Sequence, residues 1–311
     1  MAGTACVLAP DPLLTITVEA GLDGDDEIHL HAGGQGFWVG RLIQTLGLRV
    51  TLCAPFGGES GLVVRAIIEQ NSLRIRAVDS AGHNGAYVHD RRHGERETVA
   101  EMPPTPLSRH EVDELYGAVL VAGLESGVCV LGGPGPWEAP VIPPDIYRRL
   151  ATDLRANRRI VVADLWGEPL ACALEGGLTV LKVSDEELTS DGWAGDDSVE
   201  TLVEAMRKLH HAGAEHVLVT RGESPALALT DGSVVEIVLP PLEPVDDRGA
   251  GDSVTAGVAA GLGRGLPMEE ALRLGAAAGV LNVTRRGLGT GERREIERLA
   301  GHIELRPVNH H

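Results

Sequence analysis

The sequence has few aromatic residues and fewer basic than acidic ones. Phe, Trp and Tyr form 3% of the 311 residues, so a core must consist mainly of aliphatic side chains, and the hydrophobic share of 43% is sufficient for one. The 27 Lys and Arg residues face 45 Asp and Glu residues, which gives a formal net charge of −18. Because this charge repels a phosphate backbone, the composition argues against nucleic-acid binding, and the hydrophobic content excludes general disorder.

Patterns that identify several other classes of protein are also missing. No apolar run approaches the roughly 20 residues that span a bilayer, and the N-terminus lacks the basic and apolar regions of a secretory signal. There is no H-E-x-x-H zinc motif, no G-x-S-x-G nucleophile elbow and no G-x-x-x-x-G-K-[ST] phosphate loop. The cysteines form no C-x-x-C pair, which disfavours disulfide and metal roles; they are Cys6, Cys53, Cys129 and Cys172. We expect a cytoplasmic globular protein.

Short runs rich in Val and Leu alternate with helix-length segments. Residues 144–157 and 199–211 are predicted helices, and the second follows a good N-cap in Ser198. Strands that alternate with crossover helices are typical of a mostly parallel, doubly wound sheet, so we predict an α/β fold in a single domain over residues 1–311. The predicted strands are 118–122, 128–131, 160–163, 179–183, 216–220, 226–229 and 234–238.

Two segments break this rhythm and show the alternation of antiparallel hairpins. Residues 13–31 contain a Gly/Asp turn between two alternating runs, and residues 86–101 do the same around a basic turn at 91–94. One interpretation is an antiparallel edge on the main sheet, which is common. We favour a small separate sheet, a β lid formed by residues near 12–33 and 84–103.

The sharpest local signal is a glycine-rich turn before a predicted helix. Gly249, Ala250 and Gly251 precede Asp252, where a helix with small residues begins and runs to about residue 262. Unpaired amides and the helix dipole bind anions at such a turn. A carboxylate there repels a phosphate that is merely bound, but it can take the proton from an attacking hydroxyl during phosphoryl transfer. For an isolated pattern of this kind, an N-cap of the helix is the better interpretation of Asp252.

The sequence resembles the PfkB/ribokinase family of carbohydrate kinases over about residues 6–305. Residues 246–252, Asp-Asp-Arg-Gly-Ala-Gly-Asp, resemble its C-terminal signature D-T-x-G-A-G-D, with Asp247 where Thr is usual. Residues 33–36, Gly-Gly-Gln-Gly, resemble the N-terminal G-G-x-G turn. Residues 182–188 resemble K-P-N-x-E-E-L, and residues 219–222 resemble the nucleotide-side T-x-G turn. Within the family, the chain is most similar to the 1-phosphofructokinase/tagatose-6-phosphate kinase branch.

This resemblance implies a ribokinase-like three-layer αβα sandwich with a small β-sheet lid. It also implies transfer of phosphate from ATP, with Mg²⁺, to a hydroxyl of a sugar or sugar phosphate. Asp252 would be the general base, and the amides of Gly249, Ala250 and Gly251 would form the anion hole. Glu187 would organise Mg²⁺ and its waters. The residues along the nucleotide would be Lys182, Ser184, Glu187, Thr220 and Gly222, although strand-end and turn structure would explain most of them equally well.

The acceptor side departs from the pattern of the family. Leu13 stands where the 1-phosphofructokinase branch has the Asp of N-P-A-[IL]-D, and Asp11 is the nearby carboxylate that could replace it. Gln35 and Trp38 replace Lys and Asn of G-G-K-G-x-N, which removes a cationic partner for phosphate. The indole of Trp38 suggests a flatter acceptor stacked on the ring, unless it simply packs into its helix.

The second hairpin shows related losses, because His83 and Gly85 stand where the branch has Arg and Asn. Arg248 and the pair Arg91 and Arg92 could restore positive charge, although arginines on an exposed turn are usually just solvated. The identity of the acceptor therefore stays open. The candidate acceptor-binding residues are Asp11, Gly33, Gly34, Gln35, Trp38 and Arg248.

Two other functions fit parts of the sequence. Residues 34–40 match a loose G-x-G-x-x-x-G dinucleotide pattern, but Glu59, at the expected distance for an NAD(P)-dependent dehydrogenase, lies in a glycine-rich turn. A non-catalytic nucleotide- or sugar-binding protein would fit the altered acceptor side, whereas the retained Asp252 argues for a kinase. We predict an ATP- and Mg²⁺-dependent sugar kinase that forms a homodimer through the lid.

Overall fold

The computed structural model describes residues 3–21, 23–94, 96–135, 137–240, 248–284 and 291–308. The strands are β1 (Thr4–Leu8), β2 (Leu13–Ala20), β3 (Asp26–Gly33), β4 (Arg49–Phe56), β5 (Arg74–Asp79), β6 (Ala86–Asp90), β7 (Glu97–Met102), β8 (Val128–Gly132), β9 (Ile160–Asp164), β10 (Leu178–Ser184), β11 (Ala214–Arg221), β12 (Ser224–Thr230), β13 (Ser233–Val238) and β14 (Glu304–Pro307). The helices are α1 (Gln35–Thr45), α2 (Gly58–Gln70), α3 (Arg109–Leu124), α4 (Asp145–Ala156), α5 (Gly167–Gly176), α6 (Asp185–Ser190), α7 (Val199–Ala212), α8 (Ala250–Gly263), α9 (Met268–Val283) and α10 (Arg293–Ala300).

The larger sheet has ten strands in the order β14-β13-β12-β11-β10-β9-β8-β1-β4-β5. The strands from β11 to β5 are all parallel to one another, and β12, β13 and β14 add an antiparallel edge. Parallel strands are buried on both faces, which explains the continuous apolar runs, such as Val-Cys-Val-Leu in β8. The prediction of a mostly parallel α/β sheet is confirmed.

Each face of this sheet carries its own hydrophobic core. One core lies under α3, α4, α5, α6 and α7 and includes the fully buried Tyr147 and Leu150. The other lies under α1, α2, α8, α9 and α10 and includes Leu42 and Ile43. The result is the three-layer sandwich that was expected. No helix in the described ranges is long and apolar enough to cross a bilayer.

The lid is a separate four-stranded sheet with the order β3-β2-β6-β7, which confirms the prediction over the edge-strand alternative. It consists of two antiparallel hairpins joined by the parallel pairing of β2 with β6. Because side chains alternate along each strand, one face carries Ile28, Leu30 and Val88. Tyr87 and His89 lie on the opposite face.

One predicted strand, residues 118–122, is wrong, because these residues lie within α3. Ser108 and Glu111 form a capping box that starts the helix, and Val119 and Ala122 are buried at helical spacing. A short apolar run does not by itself distinguish a strand from a buried helix segment. The other predicted strands of the main sheet, and both predicted helices, agree with the structure to within two residues.

Candidate active site

The glycine-rich turn lies at the carboxyl edge of the parallel sheet. β9 ends at Asp164, and α8 begins at Ala250. The two elements are joined there, since the hydroxyl of Thr255 in α8 donates to Oδ2 of Asp164 at 2.7 Å. Ligands of open α/β sheets bind at this edge. The residues around the start of α8 therefore lie where folds of this class bind their ligands.

The turn itself is held rigidly from several sides. Gly249 has a φ of 71°, in the left-handed region that favours glycine. The amide and the hydroxyl of Ser253 both donate to the carbonyl of Gly249, at 3.0 and 2.8 Å. Asn282 of α9 donates to the carbonyl of Arg248 at 2.6 Å. Since no side chain in the described residues caps the start of α8, its first amides are left for an anion.

Asp252 is half-buried in the first turn of α8. Burial and the negative charge of Asp164 raise the pKa of its carboxyl to about 7, while Lys182 and the amide of Gln35 act in the opposite direction. A carboxyl with this pKa exchanges protons near neutral pH, as a general base must. The alternative that Asp252 is the N-cap of the helix is wrong, because Gly249 occupies that position.

A buried ion pair lies beneath the turn. The ammonium of Lys182 donates to Oδ1 of Asp164 at 3.1 Å, and the two residues are 7% and 3% exposed. Burial alone would lower the pKa of Lys182, but the charges of Asp164, Glu187 and Asp252 outweigh it and raise that pKa. The lysine therefore stays charged below the turn. Sequence reasoning missed Asp164, although an Asp that closes an apolar strand, Ile-Val-Val-Ala-Asp, was a usable signal.

Ser184 and Glu187 form a capping box at the start of α6. The amide of Ser184 donates to Oε2 of Glu187 at 2.7 Å, and the amide of Glu187 donates to the hydroxyl of Ser184 at 3.1 Å. The second oxygen of Glu187 has no hydrogen bond in the part of the chain that the structure describes. The charge of Glu187 also raises the pKa of Asp252. Glu187 thus combines a structural cap with a carboxylate oxygen that a ligand can use.

Thr220 and Gly222 follow on the neighbouring strand. Thr220 pairs with Ser184 between β10 and β11, so both lie at the same edge of the sheet. Gly222 has a φ of 52° in the turn to β12, and a Cβ there would meet nothing within 4 Å. The predicted nucleotide residues therefore occupy adjacent strand ends beside an open turn.

Asp11, in the loop after β1, is a buried carboxylate on the acceptor side and is only 6% exposed. Its Oδ2 accepts a hydrogen bond from the indole N–H of Trp137, and the backbone amide of Gly135 helps to stabilise the ionised carboxylate. Its Oδ1 has no partner among the described residues. Burial raises the pKa of Asp11 to about 6, although Trp137 and the amide of Gly135 act in the opposite direction. Sequence reasoning did not identify Trp137.

Gln35 lies between Asp252 and the loop after β8. Its Oε1 accepts a hydrogen bond from the amide of Gly133 at 2.6 Å. The NH₂ group of Gln35 remains as the donor that helps to lower the pKa of Asp252. Gly33 ends β3, and Gly34 has a φ of 91° at a point where a Cβ would overlap the carbonyl of Asp11. The Gly-Gly-Gln turn therefore brings α1 close to both Asp11 and Asp252.

The side chain of Trp38 packs against its own helix. Its ring lies 4.9 Å from that of Phe37 and 5.8 Å from the guanidinium of Arg41, all on α1, and it borders the second core. This matches the packing alternative for Trp38, and stacking on an acceptor stays a prediction. Arg248 is exposed beside the turn, and its charge helps to lower the pKa of His89 in the lid.

Arg91 and Arg92 are engaged within the lid. Arg91 donates to Glu19 at 3.3 Å, and Arg92 donates to Asp90 and Asp26. Their charges are therefore already balanced by carboxylates of the same sheet. Asp247, the departure from the family signature, lies outside the described residues.

Asn84, which the sequence analysis did not single out, connects the loop that carries Asp11 to the main sheet. Its Nδ2 donates to the carbonyls of Pro12 and Pro55 at 3.0 and 3.1 Å. Its Oδ1 accepts from the amide of Gly57 at 2.9 Å. Asn84 is buried, and all three of its partners are backbone groups, so it fixes the loop that carries Asp11.

The sequence is similar to those of known carbohydrate kinases. The family described as pfkB family carbohydrate kinase matches residues 14–294. The 1-phosphofructokinase of Bacillus subtilis (strain 168) is 31% identical over 265 residues, which are 84% of this chain and 84% of that protein. The ATP-dependent 6-phosphofructokinase isozyme 2 of Escherichia coli (strain K12) is 27% identical over 252 residues, 79% of this chain and 80% of that protein.

Solved structures show the same fold. Phosphofructokinase-2 from Escherichia coli in complex with substrates and products superposes with a TM-score of 0.79 at 22% identity, over 96% of this chain and 99% of that one. Arabidopsis thaliana ribokinase complexed with ribose and ATP superposes with a TM-score of 0.72 at 18% identity, over 96% of this chain and 99% of that one. At these identities, the likeness concerns the fold alone.

Proposed function

The chain belongs to the pfkB family of carbohydrate kinases, and we propose that it transfers the γ-phosphoryl group of ATP to a hydroxyl of a sugar phosphate. One observation carries the proposal. Asp252 is half-buried next to the first amides of α8 and has a pKa of about 7. A base and an anion site in one helical turn suit transfer of a phosphoryl group to a hydroxyl.

In this proposal, Asp252 removes the proton of the acceptor hydroxyl. A pKa of about 7 makes its carboxylate basic enough to accept that proton and still partly ionised at neutral pH. The amides of Gly249, Ala250 and Gly251 hold the migrating phosphoryl group. Lys182 adds a fixed positive charge from below, because its pairing with Asp164 keeps it beneath the turn.

The nucleotide is proposed to lie along the ends of β10 and β11, next to Lys182, Ser184, Thr220 and Gly222. The hydrogen bonds of the two carboxylates decide which of them is available to Mg²⁺. Both oxygens of Asp164 are occupied, whereas Glu187 keeps one oxygen. A single carboxylate completed by waters and phosphates suits Mg²⁺. When bound, the ion would neutralise charge on the phosphates, and Glu187 would hold it.

The acceptor is proposed to bind opposite Asp252, between Asp11, the Gly33-Gly34 turn and Gln35. Asp11 would accept a hydrogen bond from a hydroxyl of the acceptor, and Gln35 would orient Asp252 toward the reacting one. Arg248 is proposed to face the phosphate of the acceptor.

The chain is proposed to act as one kinase domain with the lid inserted near 12–33 and 84–103, and to form a dimer through the lid. The exposed side chains Ile28 and Leu30 support this proposal. Large exposed apolar residues clustered on one face often mark a protein interface.

The test is turnover of Mg²⁺-ATP with fructose 1-phosphate and fructose 6-phosphate as probes, for the wild type and Asp252→Asn. Loss of a general base should lower kcat by about 10²–10⁴-fold. Glu204→Gln, at an exposed position in the middle of α7, removes a carboxylate outside the proposed site and should leave kcat unchanged. Full activity of Asp252→Asn would remove Asp252 from the mechanism, and binding of both substrates without turnover would support the non-catalytic alternative.

A further inference from the structure

Three aromatic rings form a row between the lid and the acceptor side. Tyr87 of β6 stacks on Trp137, with ring centroids 5.3 Å apart and planes 19° apart. It also stacks on His89 of the same strand, at 5.5 Å and 15°. Trp137 belongs to the segment that follows β8, so this row joins the lid to the main body of the protein.

The last ring of the row also holds Asp11. The indole N–H of Trp137 donates to Oδ2 of Asp11, and the amide of Gly135 helps to lower the pKa of this carboxyl. A Cβ on Gly135 would overlap that oxygen, so a glycine is required for the segment to close over the carboxylate. One oxygen of Asp11 is therefore fixed by a segment that is itself stacked against the lid.

The other oxygen of Asp11 lacks a donor. Oδ1 has no partner in the described part of the chain, although the residue is only 6% exposed. A buried carboxylate oxygen without a hydrogen bond is costly, and such groups are rare in folded proteins unless water or a ligand completes them. This oxygen is therefore available to a donor from water or from a bound molecule.

Positive charge lies at the far end of the row. Arg96 contacts the imidazole of His89. Burial, together with the positive charges of Arg96 and Arg248, lowers the pKa of His89 to about 4. A molecule that extends along the row would meet a carboxylate at one end and guanidinium groups at the other. A polyhydroxylated carbon chain that ends in a phosphate has this distribution of donors and charge.

We propose that Trp137 is a positioning residue that fixes Asp11 to receive one hydroxyl of a sugar-phosphate acceptor and links this hydroxyl site to the lid through Tyr87. This inference rests on the proposed function and adds a residue that determines acceptor specificity. The indole N–H sets the orientation of the carboxylate, while the stack on Tyr87 makes that orientation depend on the position of the lid.

Trp137→Phe separates the two roles, because it keeps a ring for the stack and removes only the N–H donor. Acceptor affinity is measured without ATP, by calorimetric titration with fructose 6-phosphate and with fructose 1-phosphate between pH 5 and 8. Without the N–H the carboxylate is no longer held in place, so its hydrogen bond to the acceptor hydroxyl weakens and binding should fall about tenfold. The affinity for ATP should stay within about twofold. Trp193→Phe, which exchanges a tryptophan elsewhere, is the matched control.

The pH dependence gives a readout that a purely structural role would not change. An ionised Asp11 accepts from the hydroxyl more strongly than a protonated one, so wild-type affinity should fall below about pH 6, where the phosphate of the probe also gains a proton. Without the Trp137 donor, which lowers the pKa of Asp11, this loss should begin at a higher pH. Tyr87 on β6, Tyr147 on α4 and His83 across a small cavity face Asp11. Burial raises the pKa of both tyrosines, so neither ionises in this range.

The outcomes distinguish this inference from the function on which it rests. If Trp137→Phe binds the acceptor like the wild type at every pH, Trp137 does not position Asp11 and the inference is wrong, while the kinase assignment stands. If the wild type neither binds nor phosphorylates either probe, the proposed function fails and the inference with it. Tyr87→Leu provides a second variant, and it should weaken acceptor binding without moving the pH at which affinity is lost.

Discussion

The ammonium of Lys182 lies 2.7 Å from the position that a Cβ on Gly251 would occupy. Gly251 has no unusual backbone angle, so its requirement for glycine comes from this neighbour. The lysine cannot easily move away, because it is buried and paired with Asp164 at 3.1 Å. The absence of a side chain at position 251 therefore allows a positive charge directly beneath the amides of the turn.

Gly251→Ala should push Lys182 out of line and lower kcat by roughly 10- to 100-fold, as expected when a group that stabilises transferred charge is displaced. The global stability should change by about 1 kcal/mol or less, because alanine is a better helix former than glycine and offsets part of the strain. Steady-state kinetics and thermal unfolding check both points. Gly117→Ala in α3, where a Cβ meets nothing within 4 Å, should leave kcat unchanged and stabilise slightly.

Lys182→Met should destabilise the protein and disturb the base. It leaves Asp164 unpaired in the interior, and breaking a buried ion pair typically costs about 3–5 kcal/mol. It also removes a charge that lowers the pKa of Asp252, so the acidic limb of the kcat profile should move to higher pH. Urea unfolding and a pH profile measure the two effects. The double variant Lys182→Met/Asp164→Asn should recover most of the stability and little of the activity, and equal recovery of both would contradict the role given to the lysine.

The glycine-rich turn that opens α8 could be predicted from the sequence because its determinants are local. Gly249, Gly251 and Asp252 lie within four positions, and the helix that follows needs no distant partner to be identified. The match to the pfkB family confirms the fold and the class of reaction that the sequence predicts. The dinucleotide pattern at 34–40 was correctly disfavoured, since it opens α1 after a strand of the lid.

The partners of this turn could not be predicted, because they meet only in the folded chain. Lys182 reaches Asp164 through the parallel pairing of β10 with β9. Asp11 and Trp137 are 126 positions apart, and no pattern in either segment names the other. For residues 118–122 the local pattern was misleading, because a short apolar run is typical of a strand. The capping box at Ser108, ten residues earlier, instead starts a helix that includes this run.

Asn84→Ala should destabilise the protein by about 2–4 kcal/mol, because it leaves three buried backbone groups without their partners. The loop that bears Asp11 should loosen as well, which raises the KM for the acceptor more than the KM for ATP. Chemical unfolding and steady-state kinetics test this pair of effects. Asn71→Ala, whose amide donates to one carbonyl at a helix end, should cost about 1 kcal/mol or less. Equal losses in the two variants would argue against a special role for Asn84.

The raised pKa of Asp252 should make activity and stability change in opposite directions with pH. The carboxyl must be ionised to accept a proton, so wild-type kcat should fall below about pH 7. Folding raises this pKa from 3.8, so ionising Asp252 costs more in the native state than in the unfolded chain. The free energy of unfolding should therefore decrease as the pH rises from about 4 to 7. Asp252→Asn should therefore unfold at higher urea than the wild type at pH 8, by on the order of 1 kcal/mol. A gain at pH 8 that does not shrink toward pH 5 would contradict this explanation.

The lid face that carries Ile28 and Leu30 should mediate a dimer. Their side chains are 65% and 47% exposed, and they lie two positions apart on β3, so they point to the same face of the sheet. Burial of such a face against a second copy removes apolar surface from water, which favours association. The variant Ile28→Glu/Leu30→Glu places charges on that face and should be monomeric in sedimentation velocity at concentrations where the wild type is dimeric. Val121→Glu, on an exposed apolar position of α3, should leave the dimer intact. A monomeric wild type, or a double variant that still dimerises, would place the interface elsewhere or exclude it.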